Sequence, residues 1–260
     1  MTSWTLITGA SEGLGVEFAR LAARDGHNLI LTARSKDKLD ALADELRSDS
    51  VQVVVIPADL SDISEAERLW ANATDGRNID VLVNNAGLAY YGAFASDQGW
   101  DRMLSSIQVN ILALTRLMNL AIPHMKAQPK GRILNVASLA AFSPGPNMAV
   151  YNATKAYVLS VSEAVATELG GSNVTVTALC PGVTATNFFE DADMKGVWLV
   201  NVTKPMSAVK VAQDGWRKAR LGRRSVVPGL MNKIMAFSTR FSPIKLNAAI
   251  TGKIMGKGTR

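Results

Sequence analysis

The sequence predicts an α/β protein with a doubly wound parallel sheet of the Rossmann type, folded as a single domain over residues 1–260. Short apolar runs alternate with longer amphipathic stretches, which is typical of strand–helix units joined by right-handed crossovers. The short runs are rich in Val, Ile and Leu and do not alternate with polar residues. Such composition indicates parallel strands that are buried on both faces. A chain of 260 residues is also long enough to bury a substantial core.

The individual elements follow from these runs in chain order. The predicted strands are Trp4–Thr8, Asn28–Thr32, Val51–Pro57, Val81–Asn84, Arg132–Ala137 and Val174–Leu179. The predicted helices are Leu14–Asp25, Lys36–Ser48, Ser64–Asn72, Trp100–Met125 and Tyr151–Leu169. Thr184–Pro205 is the least regular stretch, and we expect a mobile loop with helical pieces. Because it follows a strand, it is expected to lie over the crevice at the carboxyl ends of the strands.

Cysteine and histidine are scarce in this chain. Cys180 is the single cysteine, so an internal disulfide is excluded, and His27 and His124 are too far apart to suggest a zinc site. We expect no metal. The chain runs almost directly into its first strand, with neither a signal peptide pattern nor an apolar stretch of about 18 residues, so the expected location is cytoplasmic.

The basic charge is concentrated in a C-terminal extension, residues 215–260, predicted to be helical. This extension holds 11 Lys and Arg and no Asp or Glu, whereas the rest of the chain has 17 basic and 22 acidic residues. Its segments Leu230–Phe241 and Ile244–Met255 mix apolar and basic residues. Such helices cover an oligomer surface or a neighbouring subunit's pocket, or lie on an anionic membrane surface. We place the subunit or pocket role ahead of the membrane role, and we expect no nucleic acid because no recognition motif accompanies the charge.

A glycine-rich turn, Thr8–Gly15, connects the first strand to the first helix. Glycines allow a tight turn and a close approach of the backbone to a phosphate, and the helix N-terminus supplies free N–H groups and partial positive charge. The spacing differs from the commoner Gly-x-Gly-x-x-Gly pattern. The turn taken alone is equally compatible with a plain strand–helix connection, but its place after the first strand favours a dinucleotide cofactor.

Residues after the second strand indicate which dinucleotide is preferred. Ala33 stands where an NAD-binding fold usually presents an acid to the ribose 2′-hydroxyl. Arg34 follows, with Lys36 and Lys38 nearby, and a guanidinium can grip a 2′-phosphate with two hydrogen bonds. We therefore predict NADP(H), with NAD(H) possible. The alternative is that Arg34 is a solvated residue at a helix start.

Two further segments are candidates for adenosine contacts. Asp59 follows the third strand and is placed to accept a hydrogen bond from the adenine amino group, or else to act as a helix N-cap. Asn84-Asn85-Ala86-Gly87 closes the fourth strand, where small residues let the backbone lie along the ribose. The alternative for this segment is an Asx turn that only stabilises the loop.

The candidate chemistry lies in Ser138, Tyr151 and Lys155. Tyr151 and Lys155 are four residues apart in a helical stretch and share one face. A free phenol has a pKa of about 10, and a neighbouring ammonium lowers it, which suits a general acid/base. Ser138 follows a strand and can hold a substrate carbonyl oxygen. Asn110 is a polar residue in an apolar helix and needs a specific partner. Each residue alone also fits a surface pair, a cap or a satisfied core amide.

Together these motifs resemble the short-chain dehydrogenase/reductase family over roughly residues 4–190. Pro181-Gly182 followed by Thr186 adds to the similarity. The resemblance implies that Tyr151 donates a proton to a carbonyl oxygen, Lys155 lowers the pKa of Tyr151 and holds the nicotinamide ribose, Ser138 polarises the carbonyl, and Asn110 anchors a water linking Lys155 to solvent. It also implies a homodimer or homotetramer. The implied cofactor contacts are Gly9, Ser11, Glu12, Gly13, Leu14, Arg34, Asp59, Leu60, Asn85, Ala86, Gly87, Tyr151, Lys155, Pro181, Gly182, Val183, Thr184 and Thr186.

The residues expected around the substrate are apolar or aromatic. We assign substrate contacts to Ser138, Ala140, Met148, Tyr151 and Phe188, and the wider candidates are Tyr90, Tyr91, Phe94, Phe142, Met194 and Trp198. They favour a small hydrophobic ketone or secondary alcohol as substrate, although several of them fit simple core packing. A catalytically silent NADP(H)-binding regulator or scaffold is the main alternative. Epimerisation or dehydration is a further one, but relatives with those activities usually change the glycine spacing or extend the substrate domain.

Overall fold

The computed structural model describes residues 3–96, 99–194, 197 and 204–256. Its centre is a sheet with the strands β1 (Trp4–Thr8), β2 (Asn28–Thr32), β3 (Val53–Val55), β4 (Ile79–Asn84), β5 (Gly131–Val136), β6 (Val174–Leu179) and β7 (Ser225–Val226). These strands are all parallel and lie in the order β3-β2-β1-β4-β5-β6-β7. The predicted doubly wound Rossmann-type sheet is confirmed.

Helices connect the strands and extend the chain beyond them. They are α1 (Gly13–Arg24), α2 (Lys36–Leu46), α3 (Ile63–Thr74), α4 (Trp100–Ile107), α5 (Leu114–Lys126), α6 (Ala149–Glu168), α7 (Phe188–Asp191), α8 (Ala208–Arg220), α9 (Leu230–Ser238) and α10 (Ile244–Ile254). A 3₁₀ turn, Leu139–Phe142, follows β5. Among the described residues no helix is long and apolar enough to cross a membrane.

The core lies in two layers, one on each face of the sheet. Phe18 of α1 and Trp216 of α8 are buried on one face, and Leu69 of α3, Leu117 of α5 and Val158 of α6 on the other. Each such fully buried apolar side chain stabilises the fold by roughly 1.5–3 kcal/mol relative to exposure. Coverage of both faces explains why the strand sequences are continuously apolar.

Some element boundaries differ from the sequence prediction. The third strand is only Val53–Val55, because Val51 pairs back on Ser48 in an isolated antiparallel bridge. The predicted continuous helix Trp100–Met125 is interrupted by a π-helical segment, Gln108–Ala113. Helix α8 begins at Ala208, before the extension that was predicted to be helical, and the two-residue strand β7 within that extension was not predicted.

The order of the strands positions the candidate site. Successive crossovers run in opposite directions from β1, because β2 lies on one side of it and β4 on the other. In such sheets the ligand crevice opens at the carboxyl ends of the strands where the direction reverses. The Thr184–Pro205 segment follows β6 at this edge and contains α7 as its helical piece. Residues 195–196 and 198–203 of that segment, including Trp198, lie outside the described residues.

Candidate active site

A single cleft of about 1560 Å³ runs along the carboxyl edge of the sheet. Every residue assigned above to cofactor or substrate contact lies on its wall, from Gly9 in the first turn to Phe188 in α7. Among the assigned site residues, Asn110 alone is absent from that wall. The sequence motifs, which are separated by up to about 180 residues, therefore meet around one space.

The glycine-rich turn and the segment after β4 hold each other in place. Gly9 has a φ of +63°, and a β-carbon there would lie 2.9 Å from the Ala86 Cα atom. The Asn85 side-chain amide donates to the carbonyl oxygens of Thr8 and Gly9, at 3.0 Å each. The Thr8 hydroxyl oxygen accepts from the backbone N–H groups of Asn85 and Ala86, also at 3.0 Å. Asn85 thus has a definite structural role in shaping the glycine-rich turn.

The basic residues after β2 differ in how far their charges are already neutralised. Lys36 pairs with Asp40 at 2.5 Å, and Lys38 lies 3.5 Å from Glu12. Arg34 is exposed, lines the cleft and makes no ion pair with any described residue. Its guanidinium is therefore the group at this end of the cleft that is available to an anionic ligand.

Asp59 lies on the cleft wall but does not cap a helix. Its carboxylate accepts from the Ser61 backbone N–H at 3.0 Å and from the Ser61 hydroxyl at 2.8 Å. The N-cap of α3 is Asp62, whose carboxylate accepts from the Ser64 N–H at 2.8 Å. The N-cap alternative for Asp59 is wrong, because the helix begins three residues later than that reading required.

Tyr151 lies in the first turn of α6 and is buried against Ser138, which follows β5. The Ser138 and Tyr151 side chains both line the cleft, close enough for Ser138 to act on the pKa of Tyr151. The Ser138 Oγ atom accepts from the Ala140 N–H at 3.1 Å, which holds the serine at the start of the 3₁₀ turn. Burial raises the pKa of Tyr151 to about 12, and the neighbouring Ser138 side chain opposes this rise. The phenol is therefore a protonated donor at neutral pH.

Lys155 is buried one turn further along α6. Its ammonium donates to the Val136 carbonyl oxygen at 2.7 Å and lies 5.8 Å from the centroid of the Tyr151 ring. Burial lowers the pKa of Lys155 to about 8, and neighbouring Cys180 acts in the opposite direction. Desolvation dominates the pKa values of both Tyr151 and Lys155, and the expected lowering of the Tyr151 pKa by Lys155 stays a prediction.

Asn110 lies in the π-helical segment, behind the cleft wall. Its side-chain oxygen accepts from the Leu88 N–H, and its amide donates to the Leu88 carbonyl and the Thr154 hydroxyl, all at 2.9 Å. A β-carbon on Gly87 would lie 3.3 Å from both the Asn110 Oδ1 and Lys155 Nζ atoms. Asn110 therefore supports the strip of backbone against which Lys155 lies.

The part of the cleft next to Tyr151 is apolar. Ala140, Met148, Phe188 and Met194 belong to an apolar cluster that includes Tyr151 itself, and the rings of Tyr151 and Phe188 are 5.4 Å apart. Two cationic side chains, Arg102 and Lys204, also reach the wall, where Arg102 forms an ion pair with Asp193. This part of the cleft therefore combines an apolar floor with a basic rim that is partly neutralised.

Four aromatic candidates for the substrate pocket do not line the cleft, which corrects the sequence prediction. Phe94 is 68% exposed, and the Tyr90 ring lies beneath the Arg102 guanidinium at 5.3 Å. Phe142 packs against the main core. Tyr91 packs behind the apolar cluster and donates from its hydroxyl to the Met255 carbonyl oxygen at 2.7 Å.

The C-terminal extension supplies cleft residues that sequence reasoning missed. Met255 is buried in the same cluster as Tyr151, and the Thr251 and Ser143 hydroxyls are 3.1 Å apart. The extension also contributes Leu230, Met231, Asn232, Met235 and Ile254 to the wall. No local pattern indicates this, since Met255 lies about a hundred residues after Tyr151 in the chain. The extension thus covers a pocket of its own chain.

Comparison with known proteins assigns the chain to a family. The sequence model of the short chain dehydrogenase family matches residues 3–196. This chain therefore belongs to the short-chain dehydrogenase family and is an NAD(P)-dependent oxidoreductase. It is 30% identical over 248 residues to the ketoacyl reductase HetN of Nostoc sp., covering 93% of this chain and 86% of HetN. It is 30% identical over 260 residues to the pig dehydrogenase/reductase SDR family member 4, covering 98% and 86%.

Solved structures show the same architecture. A short-chain dehydrogenase of Sphingobium yanoikuyae in complex with NADPH superimposes with a TM-score of 0.82 at 32% identity, covering 93% of this chain and 94% of that one. A 7beta-hydroxysteroid dehydrogenase superimposes with a TM-score of 0.84 at 27% identity, covering 96% of each chain. These similarities extend beyond the family-model match into the C-terminal extension.

Proposed function

We propose that this protein is an NADP(H)-dependent oxidoreductase that interconverts a ketone and a secondary alcohol on a hydrophobic substrate. The observation that carries the proposal is the placement of Tyr151 and Ser138 together on the wall of the apolar part of a cleft, whose other part is lined by a glycine-rich turn. That arrangement offers a proton donor and an oxyanion partner beside a binding space for a dinucleotide.

The residues present fit the dinucleotide. The Gly9 turn allows a close backbone approach, the N-terminus of α1 offers free N–H groups, and Arg34 is an unneutralised guanidinium. The NADPH complex of the Sphingobium relative supports NADP(H) as the preferred cofactor, with NAD(H) as the second candidate. When bound, the nicotinamide supplies or accepts a hydride, and that chemistry belongs to the cofactor.

The protein's own contribution is a proton at the carbonyl oxygen. In reduction, the Tyr151 hydroxyl donates its proton to that oxygen, and the Ser138 hydroxyl donates a hydrogen bond to the same atom. A pKa of about 12 keeps the Tyr151 proton in place at neutral pH, so the phenol begins as the acid. In oxidation, the deprotonated phenol takes the proton from the alcohol.

Lys155 and Asn110 act around this pair. Lys155 presents its ammonium beside the cleft and would hold the ribose hydroxyls of the nicotinamide half. Asn110 is a positioning residue, because it supports the Leu88 backbone and Thr154 behind Lys155. A water anchored by Asn110 between Lys155 and solvent stays a prediction.

An apolar ketone fits the lining better than a small keto acid. The cluster around Tyr151 is built from Met, Ala and Phe, and Arg102 is already paired with Asp193. The activities for which similar proteins are named support the same substrate class, since they include a ketoacyl reductase, a 7beta-hydroxysteroid dehydrogenase and the bulky-bulky ketone specific alcohol dehydrogenase of Comamonas testosteroni. A homodimer or homotetramer and a cytoplasmic location stay predictions.

The test measures the turnover of a panel of ketones with NADPH and with NADH. The loss of absorbance of the reduced nicotinamide reports the rate. The panel contains apolar aliphatic, acyl and steroid ketones and, as controls, small charged keto acids. Faster turnover of apolar ketones with NADPH supports the proposal. Preference for keto acids contradicts the substrate class. Tight NADPH binding without turnover of any ketone supports the silent regulator instead.

A further inference from the structure

Helices α9 and α10 and the connection between them carry an unusual number of exposed apolar side chains. Nine of the sixteen exposed large hydrophobic residues in the described chain lie within residues 230–250. We call these nine the tail patch; they are Leu230, Met231, Ile234, Met235, Phe237, Phe241, Ile244, Leu246 and Ile250, at 41–75% exposure. Such a concentration of exposed apolar side chains in one short segment marks a candidate interaction site.

The two helices are tied into one structure. The Phe237 and Phe241 rings are 5.0 Å apart at the end of α9. The Asn247 side-chain amide donates to the carbonyl oxygens of Thr239 at 3.2 Å and Ser242 at 3.3 Å, which anchors α10 to the connection. The inner side of α10 is held by Thr251 and Met255 at the cleft. Helices α9 and α10 therefore form one hairpin that packs against the cleft with the inner side of α10 and leaves its outer side exposed.

Basic side chains accompany this surface, without acidic ones. Lys233, Arg240, Lys245 and Lys253 lie on or between the two helices and are exposed, and none forms an ion pair with a described residue. No Asp or Glu occurs anywhere in residues 215–260. A second copy of the chain docked face to face on the tail patch would bring these cations together with no anion to offset them. The charge is complementary to an anionic partner.

We propose that the tail patch docks on the surface of an anionic lipid bilayer. Basic amphipathic helices bind such surfaces by burying the apolar face at the headgroup boundary while the cations meet anionic headgroups. The apolar residues and the interspersed Lys and Arg of α9 and α10 match this arrangement. The inner side of the extension lines the cleft of its own chain and not the neighbouring subunit's pocket that was expected, so one hairpin would serve two functions.

The tail patch is continuous with the mouth of the cleft. Leu230, Met231 and Met235 belong to the patch and also line the cleft. A docked protein would present this mouth toward the bilayer. If the proposed function holds, a lipid-soluble ketone would enter from the membrane. The docking itself does not depend on that function, and its test uses neither cofactor nor substrate.

The test is flotation of the full chain with vesicles of phosphatidylcholine, alone or mixed with phosphatidylglycerol. We expect the bound fraction to be at least about tenfold higher on the anionic vesicles, and to fall as salt screens the charges. The double variant Lys233→Glu/Lys245→Glu should lose about tenfold or more of that binding. Its matched control, Lys126→Glu/Lys130→Glu, changes exposed lysines outside the extension and should bind as the wild type does.

A second pair of variants tests the apolar component. Phe237→Ser/Phe241→Ser should also lose about tenfold of the binding to anionic vesicles, whereas Phe94→Ser/Ile63→Ser, which alters exposed apolar residues elsewhere, should not. Circular dichroism confirms that each variant folds. Absence of wild-type flotation on both vesicles would overturn the proposal, as would equal loss in the controls. If the Phe237/Phe241 variant instead lowers the mass in light scattering and leaves flotation unchanged, the patch is an interface between copies and the proposal is wrong.

Discussion

The Lys155 ammonium donates its hydrogen bond to the Val136 carbonyl oxygen, 2.7 Å away, at the end of β5. This bond holds a buried cation at the junction between the central sheet and the helix that carries Tyr151. Burial lowers the pKa of Lys155 from 10.5 to about 8, so the charged form costs stability at neutral pH. The residue therefore links stability to pH.

Replacement of Lys155 by Met should stabilise the protein free of ligands at pH 7. Because the folded pKa is lowered, the cost of the buried charge is fully present below about pH 8 and disappears as the pH rises toward 10.5. The variant should gain roughly 2–3 kcal/mol in the free energy of unfolding at pH 7, and the gain should shrink toward pH 10. Urea unfolding at both pH values measures this. A gain that is independent of pH would contradict the assignment to charge burial.

Replacement of Tyr151 by Phe should lower kcat for ketone reduction by roughly 10²–10⁴-fold, because general acid catalysis is typically worth that much. NADPH affinity should change little. The matched control is Tyr157→Phe on the same helix, whose hydroxyl lies 2.9 Å from that of Thr115 and outside the lining of the cleft. Steady-state kinetics and fluorescence titration of NADPH give both quantities. Equal losses in the two variants would remove Tyr151 from the chemistry.

Replacement of Arg34 by Leu should reduce the preference for NADPH over NADH. A hydrogen bond to a charged group is worth roughly 1.5–3 kcal/mol, so the ratio of kcat/KM values should fall about 10–150-fold. Arg24→Leu is the control, since Arg24 is exposed at the end of α1 and donates only to the Arg20 carbonyl among the bonds described for it. If the ratio of kcat/KM values for NADPH and NADH were unchanged in Arg34→Leu, another residue would bind the 2′-phosphate.

Replacement of Met255 by Ala should raise KM for large apolar ketones. Met255 is buried in the cluster with Tyr151, and removing its outer atoms takes away roughly 1.5 kcal/mol of apolar contact, which is about tenfold in affinity. Small ketones that do not reach the C-terminal extension should be affected much less. The control is Ile250→Ala, at an exposed position of α10. If KM for large ketones in Met255→Ala stayed at the wild-type value, as expected for Ile250→Ala, Met255 would be excluded from the substrate pocket.

Much of the fold and of the cofactor end could be predicted, because the determining signals are local. A glycine-rich turn, an apolar strand and a Tyr–Lys pair one helical turn apart each depend on neighbours within a few residues. Because all the strands are parallel, their carboxyl ends lie at one edge of the sheet. This is why Gly9, Asn85, Ser138 and Pro181 could be assigned to one cleft before their distances were known.

The assignments that failed depended on distances across the fold. Phe94 and Phe142 have the composition of pocket residues, but one is exposed and the other packs into the core. The π-helical segment at Asn110 was also not predicted, because the spacing of apolar residues does not distinguish its wider turn from that of an α-helix.

The sequence by itself determined the doubly wound sheet, the family and the set of residues that line the cleft, because parallel strands and tight turns impose their own residue types. Tertiary structure alone decided three matters: the packing of Met255 beside Tyr151 at the cleft, the burial that moves the pKa values of Tyr151 and Lys155 in opposite directions, and the exposure of the tail patch. Each is a matter of which distant segments pack together and exclude water. Composition records which residues are apolar or ionisable, but only packing decides which of them lose their solvent.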